Sequence, residues 1–432
     1  MRRFLAVLGL LATVSPALYA QAVPDEAPAR RVDFGYRRTP LRGIDPFRHV
    51  AMHHWGLVLS AGATAGNNAL TFRDGRAIVF LDDQGALEVG DIVNALGLVP
   101  AGSGLRGEFE AEAGAALGGP FGRHLSLGFT GMARGYGGFD IDDAAISLLR
   151  DGTGARQDFP VGTTQGYGLA TAEFGGHAIV RLGPIGTEDG VIVSVGGGAR
   201  VVRPVLYARG GSTLDSRVFV GPDSVGAHVG VDLAFTPDPT IAFDRGSGLA
   251  ADFLMRLDWP TQGLAVEAMV INIGQVTVRG VERSSWRFDV ASGTLAEVVD
   301  SLDADPFTPG FDLRDRTILD TSDVEVVLPR TLRLTATTWA NRILQLDATA
   351  TIPLGGDFQT PFAVDVVSTW RFVRVIPLRA GLVFGGRHGL GYTAGVGIEG
   401  RNLLLRFTAG SLGGLFQDAT GAMGRFELGL LF

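Results

Sequence analysis

The sequence predicts an all-β fold: a single antiparallel transmembrane β-barrel of about 14 strands, with roughly 12 to 18 allowed by the pattern, carrying short helical insertions. Three observations predict it. Apolar and polar residues alternate with period two in segments of about ten residues, the length a tilted strand needs to cross a bilayer. Glycine is abundant, at 63 of 432 residues, and only 19% of residues are charged although 46% are hydrophobic. Beyond the N-terminal segment no run of about 18 apolar residues occurs, so no transmembrane helix is expected; the chain is then either a soluble periplasmic or secreted protein or a barrel, and the alternation favours the barrel.

Residues 1–22 read as a cleaved signal peptide. Arg2 and Arg3 supply a positive start, Phe4 to Val14 an apolar stretch too short to span, and Ala20-Gln21-Ala22 a small-x-small cleavage pattern, so the mature chain is expected to begin at Val23. Residues 23–50 are rich in Pro and Arg without periodicity and are expected to form a tail or a plug. Residues 51–432 are assigned to the barrel. Its upstream strands are expected at 106–117, 123–134, 165–173, 177–183, 190–202, 225–235, 247–259, 262–274 and 281–290. In 247–259, Leu249, Phe253, Met255, Leu257 and Trp259 share one face and Asp252, Arg256 and Asp258 the other.

The alternation is clearest toward the C-terminus. In 343–352, Leu344, Leu346, Ala348, Ala350 and Ile352 oppose Gln345, Asp347, Thr349 and Thr351. Comparable segments are 330–340, 362–373, 376–387, 390–399, 403–409 and 425–432; in 403–409, Leu405 and Phe407 are assigned to lipid and Arg406 to the lumen. The last ends on Phe432, with Leu430 and Leu428 on the same face, the pattern of an assembly signal read by the barrel-insertion machinery. Two segments read as helices. One is 140–150, with acidic residues at its start and Arg150 at its end. The other is 292–303, where Thr294 and Glu297 form a capping box. The pattern leaves open whether 308–319 is a strand, and on which side of the membrane the helices lie.

Composition removes much chemistry. There is no cysteine, and all 37 basic residues are Arg, which excludes thiolate and lysine mechanisms. A net charge of -8 with no basic stripe disfavours nucleic acid. His53 and His54, adjacent on a strand, would point to opposite faces, so no metal site is expected. No Gly-x-Ser-x-Gly elbow occurs, and no catalytic residue or cofactor is expected. The residues of interest are charges on the polar face, expected to line the lumen: Glu108, Glu110, Glu112, Asp252, Arg256, Asp365, Arg371, Arg379 and Arg406. With Arg333, Arg425, Glu399, Glu427 and others they could form an internal salt-bridge network that plugs a narrow lumen or sets selectivity in a wide one.

Within 225–432 a series of short motifs recurs in order: Gly248-Leu-Ala-Ala-Asp252 opening a strand, Ile271-Asn272-Ile273-Gly274 ending the next, then Trp286, a helical insertion, and Leu328-Pro329-Arg330 leading into hairpins. In this order the chain resembles the FadL-like superfamily of outer-membrane barrels, most of all a branch known as a domain of unknown function. The N-terminal quarter lacks the plug motif of true fatty-acid transporters. The resemblance implies a non-enzymatic outer-membrane channel of a Gram-negative-type cell, in contact with outer-membrane lipid and passing hydrophobic or amphipathic small molecules. The alternative is a barrel that transports nothing and anchors or shuttles a partner protein.

Overall fold

The computed structural model describes residues 45–47, 55–74, 97–151, 158–185, 190–220, 225–237, 245–293, 317–340, 343–358, 361–373, 375–386, 388–400 and 402–432. The signal peptide, most of 23–50, His53 and His54, and the expected helix beyond residue 293 lie outside these. In chain order the elements are β1 (Gly56–Asn67), β2 (Leu105–Pro120), β3 (Leu125–Ile141), α1 (Asp143–Asp151), β4 (Asp158–Pro160), β5 (Gln165–Ile185), β6 (Val191–Ser212), β7 (Arg217–Val220), β8 (Val225–Phe235) and β9 (Gly246–Trp259). They continue with β10 (Leu264–Gly293), β11 (Thr317–Val327), β12 (Arg330–Trp339), β13 (Leu344–Gly355), β14 (Ala363–Val373), β15 (Ile376–Gly385), β16 (Leu390–Glu399), β17 (Leu403–Leu412) and β18 (Gly421–Leu431).

Every ladder is antiparallel, and the sheet closes on itself because β1 pairs with both β18 and β2. The ring runs β1–β2–β3–β5–β6–β9–β10–β12 and then in order through β18, fourteen strands in all. Closure matters because a bilayer offers no water to an unpaired amide. The remaining strands extend the wall at one end. β11 continues the line of β12 along the outer half of β10, from Gln275↔Val327 to Ser285↔Thr317. β8 pairs with the far ends of β6 and β10, and β7 joins it to β4.

The two faces differ as a membrane barrel requires. Phe253 and Met255 are 55% and 53% exposed on the outer face of β9, while Asp252 and Leu254, which alternate with them, are buried. Phe129, Phe174, Val195, Leu382, Val396, Phe407 and Phe426 extend the apolar outer belt around the ring. At one end, strands join through tight connections such as Pro260–Gln262 between β9 and β10. The start of β1 and the end of β18 lie at this end, where the Phe432 amide donates to the Trp55 carbonyl (2.9 Å). The opposite end carries the long connections, with α1 between β3 and β5.

Several boundaries differ from the sequence reading. The segments 165–173 and 177–183 are one strand, β5, running through Gly175 and Gly176. The segments 262–274 and 281–290 are likewise one strand, β10, whose alternation is broken by a bulge at Asn272. Residues from Thr317 form a strand, and β3 runs to Ile141, so the helix begins only at Asp143. β1 was not legible as a strand: its outward positions hold mainly Ala and its inward ones mainly Gly, Ser and Thr, so the contrast between faces is small.

The face assignment is testable on β17. Phe407→Arg, on the outer face, should destabilise the inserted barrel by about 2–4 kcal/mol in urea titrations. Single cysteines placed along Leu403–Leu412 should react alternately with lipid-soluble and water-soluble reagents, with no native thiol to compete. Uniform water reactivity would refute the membrane-spanning assignment.

Candidate functional site

The inner wall is charged, and its charges meet in two clusters. The first forms where β10 bulges. Ile271 and Asn272 together face the single residue Asp252 of β9, and Asn272 sits in the left-handed region at φ 63°. This conformation, which asparagine tolerates better than most residues, turns the Asn272 amide onto the Asp252 carboxylate (3.0 Å). Arg200 of β6 grips the same carboxylate through Nε and Nη2 (2.8 Å each) and reaches Glu173 of β5 through Nη1. His177 Nε2 lies 3.1 Å from Asp252 Oδ2. The Asn272 side-chain oxygen accepts from Arg200 (2.7 Å) and Arg134 (2.8 Å), and its amide donates to the Pro329 carbonyl (3.0 Å). Three of the short sequence motifs, those ending at Asp252, centred on Asn272 and containing Pro329, thus converge at one point of the lumen. Phe47 packs beside it, edge-on to His177 and among Ile179, Leu254, Met269 and Ile271.

The second cluster is a chain of alternating sign along the wall from β14 to β2. Arg371, whose guanidinium lies 4.7 Å from the centre of the Trp339 ring, bonds Glu399 (2.9 Å). Glu399 also receives Arg406, which lies 4.0 Å from Glu427. Arg425 sits between Glu427 (3.5 Å) and Glu112 (2.9 Å).

A glycine lies in the path of the last link. Gly62 of β1 is in register with Arg425 on one side and Glu112 on the other, and its missing side chain leaves the space through which they meet. Gly198 does the same between His177 and Asp252: a Cβ there would come within 2.0 Å of the imidazole. Part of the glycine abundance is therefore the geometry of ion pairs that skip a strand.

Above the clusters, toward the long-loop end, a cavity holding about 860 Å³ of solvent-open space crosses the lumen. Glu108, Glu110, Glu112 and Thr64 line one wall, Thr331, Arg333 and Thr351 the other, with Tyr136, Tyr167, Ile271 and Phe358 between. Tyr167 and Phe358 stack with ring centres 5.1 Å apart. His388 Nε2, from the β15–β16 turn, lies 2.9 Å from a Glu108 carboxylate oxygen.

All nine charged residues singled out from the sequence lie on the inner face. Asp252 is in the first cluster and Glu112, Arg371 and Arg406 in the second, while Glu108 and Glu110 line the cavity. Arg256 bonds Asp258 (2.8 Å), Asp365 stands in register with Thr349, and Arg379 with Thr369. The sequence reading missed Arg134, Glu173 and Arg200. Their alternation with Tyr136, Thr171 and Val202 was the available signal, weakened by the glycines around them. Among the described residues no group of three or more His, Asp or Glu could hold a metal ion.

Several solved structures align with most of the chain at low identity. A TodX mutant described as a monoaromatic hydrocarbon channel aligns with TM-score 0.46 at 8% identity, over 88% of this chain and 91% of that one. The toluene transporter TbuX of Ralstonia pickettii aligns at 0.45 and 10%, over 90% and 92%, and a Pseudomonas aeruginosa FadL homologue at 0.44 and 13%, over 95% and 96%. No protein-family model and no curated protein matches the chain.

The clusters give two tests. Asp252→Ala removes the carboxylate that Arg200 holds with two nitrogens, leaving it Glu173 alone, and should cost about 3 kcal/mol of stability, whereas an apolar replacement of both partners should recover much of it. Gly62→Leu should break the Arg425–Glu112 link as Arg425→Met does; in a double-mutant cycle the two losses should be far from additive, and additive losses would mean that Gly62 is not the gap.

Proposed function

We propose that the chain is an exported, non-enzymatic outer-membrane channel for hydrophobic or amphipathic small molecules, with its long-loop end outside the cell. The observation that carries this reading is the cavity inside the closed barrel, where Tyr136, Tyr167, Ile271 and Phe358 offer apolar surface beside charged walls. Such a mixture, apolar lining with a few placed polar groups, is what a small-molecule site requires. Short turns at one end and long connections at the other support the orientation, since outer-membrane barrels keep short turns in the periplasm. In this reading residues 1–22 direct export and Phe432 assists assembly by the insertion machinery. The segment 23–50 serves as a plug, which the packing of Phe47 in the lumen supports.

Expressed in the outer membrane of a Gram-negative host, the chain should accelerate uptake of a neutral hydrophobic dye. Ile271→Trp, which fills the cavity wall, should cut that rate severalfold while the protein stays heat-modifiable on gels. Equal uptake with and without the chain would favour the barrel that anchors a partner.

A further inference from the structure

Three arginines gather on the outer wall at the loop-side edge of the apolar belt. Arg203 of β6 alternates with buried Val202, and Arg279 of β10 with buried Val278, so both stand on the outer face. Arg245, the residue before β9, lies between those strands and opposite Arg279, whose amide donates to its carbonyl (2.7 Å). Arg203 leans the same way, its Nη1 donating to the Gly246 carbonyl (3.1 Å). Like charges opposite one another across a ladder repel, so the group gains from an anion set among them. Beneath the arginines the outer face turns apolar. Val201 follows Arg203 on β6; on β9, Ser247 is followed by Leu249, 68% exposed, and then Phe253. Val201 and Leu249 are cross-strand partners. On the other side of Arg279 the outward residues of β11 are acidic: Asp323 accepts from the Gly280 amide (3.4 Å) and Glu325 from the Gln275 side chain. An anion is therefore directed to the β6–β9 side.

We propose that Arg203, Arg245 and Arg279 form a site for the phosphate of a membrane lipid whose acyl chains lie along Val201, Leu249 and Phe253. The inference rests on the reading of the chain as an outer-membrane barrel with its long-loop end outside, which puts the site among the head groups of the outer leaflet. Guanidinium groups suit phosphate because their planar N–H groups match its oxygens in direction and spacing. Long arginine stems lie on apolar surface while the charged ends rise to the polar layer. A free phosphate would use the arginines alone. A phosphate-bearing lipid uses the charge and the apolar step below it together, and is the occupant that fits both.

The test titrates the full chain in neutral detergent with dioctanoyl phosphatidic acid and dioctanoyl phosphatidylcholine, read by native mass spectrometry, with inorganic phosphate as competitor. Phosphatidic acid should bind about tenfold more tightly than phosphatidylcholine, and Arg245→Gln and Arg279→Gln should each weaken it about fivefold. Arg279→Lys should keep most of the affinity, and Arg106→Gln, which removes an exposed arginine paired with Asp140, should change nothing. Should the glutamine variants lose heat-modifiable migration, the salt dependence of the unaltered chain decides: the preference should shrink as salt rises, and one indifferent to salt overturns the site. Equal binding of the two lipids, binding of neither, or a preference that survives Arg245→Gln and Arg279→Gln together, also overturns it. Inorganic phosphate that displaces phosphatidic acid at equal concentration overturns the lipid as occupant. Each of these leaves the channel reading standing, since that depends on dye uptake; a chain that stays soluble without detergent overturns both.

Discussion

In the middle of a bilayer an unpaired amide has no water to turn to, and β1 is where this chain meets that constraint. The strand is made largely of Gly, Ala, Ser and Thr, yet it holds β18 on one edge and β2 on the other. Without it the sheet has two open edges and no barrel. Its small side chains leave little to stabilise it except the backbone ladders, so its position depends on the registers on both sides.

Those registers in turn decide which charges can meet. Because inward side chains recur every second residue, a one-residue slip of β1 would put Ala61 or Ala63 on the inner face where Gly62 now lies. Every other residue of the strand would change sides with it. Buried ion pairs add little net stability, since desolvation offsets much of their attraction. Here they penalise wrong registers, because a misplaced strand would leave several charges buried and unpaired at once. The two clusters together touch most of the ring, so most strands are checked against another.

The barrel was legible in the sequence because period two is a local property, and Leu344 to Ile352 shows it whatever the rest of the chain does. Membership of the inner face followed from the same parity, which is why Asp252, Arg371 and Arg406 could be named. Which charge meets which was not legible. Arg425 and Glu112 are more than three hundred residues apart and joined across a third strand by an absent side chain. Arg200 stands in a glycine-rich run where apolar contrast is weak. The bulge at Asn272 was also hidden: it appears in the sequence as a failure of alternation, which reads as the end of a strand.

That bulge works as a phase shifter. Below it β10 turns odd-numbered residues inward, Glu267, Met269 and Ile271; above it the inward residues are even-numbered, Asn272, Val276 and Val278. One extra residue lets a single strand of 30 residues carry two sequence frames, each matched to its own partners: β12 below and β11 above. Chain length at this point is therefore not a free variable. Loss of Asn272 would leave a smoother alternation on paper, yet it would turn Val276 and Val278 to the outside and carry their neighbours into the lumen. The irregular residue is what keeps the two halves of the longest strand in agreement about which way is in.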